Sequence, residues 1–367
     1  MRINQIVVSA APGDEVTESA LTMARALRGA GVSSDVYAAR RDSGLTQPVR
    51  RLDEYVTGDG NDLLIYHADV GDHRVVDFLL RSTEQLLVAY HGIAPARYYD
   101  EFDADSAARL RFDRSSLRRL GYRAIGALAY SSFAANELRE LGLSNVEVVP
   151  PGLDRHRLLD AGADETLVAQ LAESTGPLVL CVDELLPHAR PDLAIAAHHM
   201  LNVNYVPDAR LVLAGTPRNS QFASALTRHV HSLNLPSVSM TGAVNDAQLA
   251  TFYRSADVLV VPSEYEASGS HIMAAFHFGV PVVARDFGAI REVAQGAAIV
   301  LGRDAGAPEM CEAIARVLRD VPLRVELRRR GHQVAAAVRP ERTLTATLVA
   351  LARVVAHAST PDHSPVH

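Results

Sequence analysis

The 367 residues include no lysine, so all 36 basic side chains are arginines. A bias toward GC-rich codons accounts for that, but chemically it excludes any mechanism that needs an amine side chain. Cysteine is almost as scarce. Cys181 and Cys311 fall in an expected strand and an expected helix, and they supply neither a disulfide framework nor a metal site. No apolar run approaches the roughly 18 residues a membrane-crossing helix requires. Basic excess is lacking too: 43 acidic residues against 36 arginines leave a formal net charge of −7. That balance argues against nucleic acid or an anionic membrane as partner, because such binding depends on cations that release counterions. The opening MRINQIVVSAAPGDE has only a brief apolar run followed at once by acids. It reads as a first strand rather than a signal peptide, and a cytoplasmic compartment is expected.

What is present is a globular composition, 48% hydrophobic and 22% charged, in a chain too long for one ordinary core. Strand-like runs alternate with helical patterns throughout, which predicts parallel α/β architecture. The first half offers Ile3–Ser9, Ser34–Ala39, Leu63–His67, Leu86–His91, Ala127–Ser131 and Val146–Val149. The second offers Leu178–Asp183, Arg210–Ala214, Val238–Thr241, Val258–Val261, Pro281–Ala284 and Ala298–Leu301. Two such sets predict two doubly wound, Rossmann-like domains, residues 1–174 and 175–340, with a hinge near Glu173–Pro177 where STGP interrupts the pattern. Residues 341–358 read as a further apolar helix after Pro340, and residues 359–367 as a disordered tail.

The chain is organised around Val258–Arg285, VLVVPSEYEASGSHIMAAFHFGVPVVAR. Val258–Val261 is a buried strand ended by Pro262 and Ser263, and a loop then carries Glu264, Glu266 and Gly269. A short helix from about Ile272 to Phe278 closes at Gly279, and Pro281 opens the next strand. Ligands of open parallel sheets bind beyond the carboxyl ends of strands. Ser263, Glu266 and Gly269 therefore lie on a ligand-facing rim, where a helix N-terminus favours anions such as phosphate. Gly13, at the turn after the first strand, permits a similar close backbone approach, although most such glycines only make a turn.

This block resembles the donor-binding signature of the GT-B retaining glycosyltransferases of the family 4 group, roughly P-S-x-x-E-G-F-G-x-x-x-x-E-A-x-x-x-G-x-P-V-V. Pro262, Ser263, Glu266, Gly269, Ala275, Gly279, Pro281, Val282 and Val283 keep its register. Further matches extend the resemblance over nearly the whole chain. They include Ala11-Pro12-Gly13-Asp14, Ala89-Tyr90-His91-Gly92-Ile93-Ala94-Pro95, Ser131–Leu138, Pro150-Pro151-Gly152-Leu153-Asp154, Gly242–Val258 and Asp286–Val293. The resemblance implies a GT-B fold, with the two domains facing across a cleft and the last helix crossing back to the first. It also implies an acceptor side on the first domain and a nucleotide-diphosphate sugar, UDP- or GDP-linked, on the second. By the same resemblance His91 lines the reacting sugar and Glu266 faces its hydroxyls or leaving group. Gly13, Gly215, Ser263, Gly269 and Gly288 fall on the donor side, and Tyr98 and Tyr99 toward an acceptor. Without it, His91 reads as a histidine hydrogen-bonded in a strand-end loop. Asp103-Ala104-Asp105 spells D-x-D but precedes a helical segment, so it reads as a helix cap and no metal or cofactor is assigned.

Asp183 replaces a glycine of the pattern, and three further departures remove contacts that all serve one ligand. Glu184 stands where the family has an arginine, Ala189 where it has a lysine, and Ala274 where it has the second glutamate of the pair, which holds the nucleotide ribose. The two cations would offset charge on the departing diphosphate, an effect of about 3 kcal/mol per contact. Arg190 and Arg218 are the candidate substitutes. Neighbouring helix positions point about 100° apart, so Arg190 needs a displaced helix start or a long reach. Three readings follow: an active retaining transferase with a rearranged donor grip, acting on a small-molecule or glycan acceptor; a catalytically degenerate scaffold paired with a second copy or a partner glycosyltransferase; and an enzyme whose donor lacks a nucleotide diphosphate.

Overall fold

The computed structural model describes residues 1–58, 60–101, 103–150, 156–217 and 219–358. Two compact units divide the chain: Met1–Asp154 together with Pro340–His367, and Arg155–Arg339. The turn from Pro151 to Asp154, Arg218 and the tail from Ser359 lie outside the described residues. Among the described residues no helix is long and apolar enough to cross a membrane.

The first unit is built on a parallel seven-stranded sheet in the order β3-β2-β1-β4-β5-β6-β7. Its strands are β1 (Ile3–Ala10), β2 (Val36–Arg41), β3 (Val49–Arg51), β4 (Leu63–Ala68), β5 (Gln85–Tyr90), β6 (Ala124–Ala129) and β7 (Val146–Val148). Helices α1 (Glu15–Gly29), α2 (His73–Arg81), α3 (Ala104–Gly121) and α4 (Ser132–Glu140) connect them. A parallel sheet covered on both faces buries nearly every position of its central strands, which is why β4 and β5 are mostly apolar and why even Asn4 and Gln5 of β1 are buried. β3 was not expected, because three residues reading VRR carry no strand pattern. β2 also runs past Ala39, with Arg40 and Arg41 pairing against Ser9 and Ala10. Helix starts follow capping chemistry: Asp14 accepts from the Thr17 N–H at 2.8 Å, and Asp103 accepts from the Ser106 N–H at 2.9 Å. The D-x-D stretch thus opens α3. The C-terminal helix, Pro340–Ala358, belongs to this unit, where Ala350, Leu351 and Val354 share a core with Leu87 and Leu128. Asn145 Nδ2 clamps it by donating to the carbonyls of Ile125 at 3.0 Å and Val354 at 3.1 Å.

One buried acid in this unit sets a pH response. Asp113 on α3 is 2% exposed, and burial pushes its carboxyl up to about 6. Its folded pKa exceeds the unfolded value near 4, so it destabilises increasingly as pH rises from there, with the full penalty above pH 6. Asp113→Asn is expected to raise the melting temperature at pH 7.5 and to change it little at pH 4.5, in thermal melts at the two pH values.

The second unit carries a parallel six-stranded sheet in the order β10-β9-β8-β11-β12-β13. The strands are β8 (Leu178–Val182), β9 (Arg210–Ala214), β10 (Val238–Gly242), β11 (Val258–Val261), β12 (Val282–Arg285) and β13 (Ile299–Leu301). Its helices are α5 (His156–Asp160), α6 (Glu165–Ala172), α7 (Pro191–Asn204), α8 (Ser220–Ser232), α9 (Asp246–Ser255), α10 (Ser270–His277), α11 (Ile290–Ala294), α12 (Ala307–Arg319) and α13 (Val321–Ala337). The unit starts at Arg155, ahead of the Glu173–Pro177 stretch expected as a hinge, because α5 and α6 pack on α9 and the Asp164 N–H bonds to Thr251 Oγ1 at 2.9 Å. Gly176 marks a tight packing point rather than a joint: a Cβ there would lie 1.8 Å from the Asp208 carbonyl oxygen. Strand order reverses between β8 and β11, so the chain leaves their carboxyl ends in opposite directions, the usual binding position of such sheets.

Candidate functional site

In the first unit the candidate residues gather beyond β1, β4 and β5. Gly13 sits exposed in the turn before α1 with φ +74°. His91 follows β5 directly, and its N–H donates to the Ala68 carbonyl at 2.9 Å. The turn after it is pinned from below. Tyr90 Oη accepts from the Ile93 N–H at 3.0 Å and donates to Glu137 at 3.3 Å, while Arg114 donates to the Ile93 carbonyl at 2.6 Å and pairs with Glu137 at 3.1 Å. The half-buried imidazole of His91 lies 5.3 Å from the ring of His67 and 5.0 Å from that of Tyr130. Burial pushes it down to about 3, so it is neutral at physiological pH. Tyr98 is half-buried with Arg97 over its ring at 4.7 Å. Tyr99 departs from expectation: at 4% exposure it is a core residue and presents no surface to an acceptor.

The second unit brings most of the donor-side candidates to one end of its sheet, on the loops after β8, β11 and β12. Glu266 is 8% exposed, and its Oε1 accepts from the Gly269 N–H at 2.8 Å and the Ser268 N–H at 3.3 Å. The N–H of Gly269 expected to meet phosphate is therefore taken by Glu266. Gly269, in the left-handed region at φ +67°, caps α10, which starts at Ser270, two residues before the expected Ile272. The Glu266 carbonyl in turn accepts from the Ala289 N–H at 2.8 Å. Gly288 touches the same backbone, where a Cβ would come 2.0 Å from the Glu266 carbonyl oxygen. Gly215 plays the equivalent part between the ends of β8 and β9, since a Cβ there would meet the Asp183 carbonyl oxygen at 1.7 Å. Both glycines are packing positions that let neighbouring loops approach. Ser263 is 1% exposed with its hydroxyl unpartnered.

A charge cluster that the sequence did not reveal gathers around Glu264, two residues before Glu266. Arg190, left-handed at φ +53°, caps α7 and forks onto Asp192 at 2.9–3.2 Å through Nε and Nη2. Its Nη1 pairs with Glu264. Glu264 is shared with Arg285, whose Nη1 lies 3.2 Å from the carboxylate and also donates to the Pro262 carbonyl at 3.2 Å. Arg285, at the end of β12, is a lone cation closing a buried strand, and that was the available signal. The vacated family positions are packed shut: Ala189 is 2% exposed and Ala274 is fully buried. Among the described residues no group of three acids, histidines or cysteines is placed to hold a metal ion.

Two parallel-sheet units of this kind, with the C-terminal helix part of the first, are the elements of a GT-B fold. Over 98% of its length the chain superposes on sucrose-phosphate synthase from Thermosynechococcus elongatus, covering 100% of that chain with a TM-score of 0.77 at 19% identity. Anabaena HepE in complex with UDP and glucose gives the same TM-score at 15% identity, over 96% of this chain and 100% of that one. Residues 164–334 match the model of the glycosyl transferases group 1 family. Among curated proteins, a D-inositol 3-phosphate glycosyltransferase of Salinispora arenicola is 29% identical over 233 residues, 58% of this chain and 50% of that protein. Mannosylfructose-phosphate synthase of Agrobacterium fabrum is 31% identical over 146 residues, 38% of this chain and 32% of that one. The alignments span half or less of these relatives.

Proposed function

We propose that this protein transfers a sugar, with retention, from a nucleotide-diphosphate donor to a small-molecule or glycan acceptor. The observation that carries the reading is Glu266, a carboxylate fixed at the carboxyl edge of β11 by the Gly269 N–H and backed by the Gly288 turn. A rigid acceptor at the switch point of a parallel sheet suits the hydroxyls of a bound sugar. Arg190 and Arg285, both paired with Glu264 two residues earlier in the same loop, are the cations for the diphosphate, released as needed from Glu264. The phosphorylated polyol and sugar in the names of the curated relatives suggest the acceptor class.

One observation favours a second reading. The cluster holds two guanidinium and two carboxylate charges, which cancel, and the vacated lysine and glutamate positions are buried. A site with no net positive charge binds a diphosphate weakly, and a scaffold that retained the fold and lost the donor would look like this. The test is incubation with UDP- and GDP-sugars plus D-inositol 3-phosphate or fructose 6-phosphate. Nucleoside diphosphate release would be followed, and the product anomer read by NMR. Acceptor-dependent release with the donor's anomeric configuration kept supports transfer; no release from folded protein supports the scaffold.

Glu184 provides a graded check. A carboxylate at the end of β8, where a dianion is to sit, opposes binding. Glu184→Gln is expected to tighten nucleotide affinity by about 3–10-fold in a binding titration, the size of one screened like-charge contact near a surface. Unchanged affinity would place Glu184 away from the phosphates.

A further inference from the structure

A buried polar chain in the first unit ends at His91. Gln5 on β1, His67 on β4 and His91 after β5 project from the same face of three strands, since Gln5 pairs with Ile65 and His67 with Ala89. Gln5 and His67 are fully buried and Ser34 nearly so. Gln5 Nε2 donates to Ser34 Oγ at 3.3 Å, which turns the amide oxygen toward His67 Nε2 at 2.9 Å. An amide oxygen only accepts, so His67 carries its proton on Nε2. Burial keeps His67 neutral, with its pKa well below the ordinary histidine value, and His67 Nδ1 is therefore an acceptor. His91 Nε2 lies 3.0 Å from that atom and must donate to it. The remaining nitrogen, His91 Nδ1, is then an unprotonated acceptor, and no described residue hydrogen-bonds to it.

We propose that His67, oriented by Gln5, is a positioning residue that locks His91 in the Nε2–H form, so that Nδ1 accepts a hydrogen bond from a ligand hydroxyl. His91 then selects for a hydrogen-bond donor and rejects phosphate or carboxylate oxygens at this position. The ligand half of the proposal rests on the sugar-transfer reading; the tautomer half does not. Buried polar groups are costly unless they are satisfied, and the three buried ones, Gln5, Ser34 and His67, each have a partner in the chain.

The test is long-range 15N–1H correlation NMR on the full chain labelled at histidine, between pH 6 and pH 8, with no ligand. The expected spectrum shows His67 and His91 both neutral and both Nε2–H. A His91 Nδ1–H tautomer, or a titrating His91, overturns the proposal. In His67→Phe the His91 signal is expected to shift toward a tautomer mixture, and His67→Gln, whose amide oxygen still accepts, is expected to restore it. Added UDP-glucose should then move the His91 Nδ1 resonance. If the nucleotide sugar binds and Nδ1 does not move, the ligand half is overturned. If it does not bind, GDP-linked sugars take its place; if none of them binds, the transfer reading fails, and free glucose at high concentration becomes the probe of the same atom. In turnover, His67→Phe is expected to lower kcat/KM by about 10–100-fold, a loss sized to one or two good hydrogen bonds, with His67→Gln recovering most of it.

Discussion

Glu266→Ala is expected to lower kcat/KM for sugar transfer by about 10²–10³-fold, the scale of removing one preorganised polar contact from a reacting centre. The same change should also cost stability. The Gly269 N–H, 2.8 Å from Glu266 Oε1, loses its partner at a buried helix start, a penalty of about 1–3 kcal/mol. Glu266→Gln separates the two effects. Its amide oxygen still accepts from Gly269, so the fold should hold, while the charge that meets the sugar is gone. Initial-rate kinetics and thermal melts on both variants check this. Activity unchanged in Glu266→Gln would remove the carboxylate from the reaction.

Gly288→Ala is expected to be among the most damaging single methyls in the second unit. The residue is left-handed at φ +58°, and the added Cβ would lie 2.0 Å from the Glu266 carbonyl oxygen and 2.8 Å from its carbon. Both obstacles are backbone, so neither can swing aside. Left-handed strain of about 1–2 kcal/mol adds to an overpacking cost of about 1–3 kcal/mol, giving an expected loss of about 2–5 kcal/mol. Because the displaced atom belongs to Glu266, activity should fall together with the melting temperature of this unit. A variant that keeps both would show that the turn after β12 is not packed as described.

The alternation of Val/Ile/Leu runs with helical stretches made the two sheets legible in the sequence, and six of the seven strands of the first sheet were placed within a few residues. β3 escaped because register against β2, and not its own pattern, makes it a strand. The hinge was misread because Gly176 and Pro177 look like punctuation, whereas Gly176 is a contact with the Asp208 backbone. At the site, Ser263, Glu266 and Gly269 were legible because strand-loop-helix spacing fixes them locally. The Arg190–Glu264–Arg285 cluster and the Gln5–His67–His91 chain were not. Their partners sit 74, 21, 62 and 24 residues apart, on different strands and loops, and only sheet order brings them together. Tyr99 followed from adjacency to His91 in sequence, which says nothing about whether a side chain turns inward.

The central claim is that the rearranged charge cluster still grips a nucleotide diphosphate. Calorimetric titration of the folded protein with UDP, GDP and their sugar conjugates tests it most directly. Micromolar binding of one nucleotide sugar is expected, weakened in Glu266→Gln and strengthened in Glu184→Gln. Absence of binding to every one of them, by protein shown to be folded in the same buffer, would contradict it.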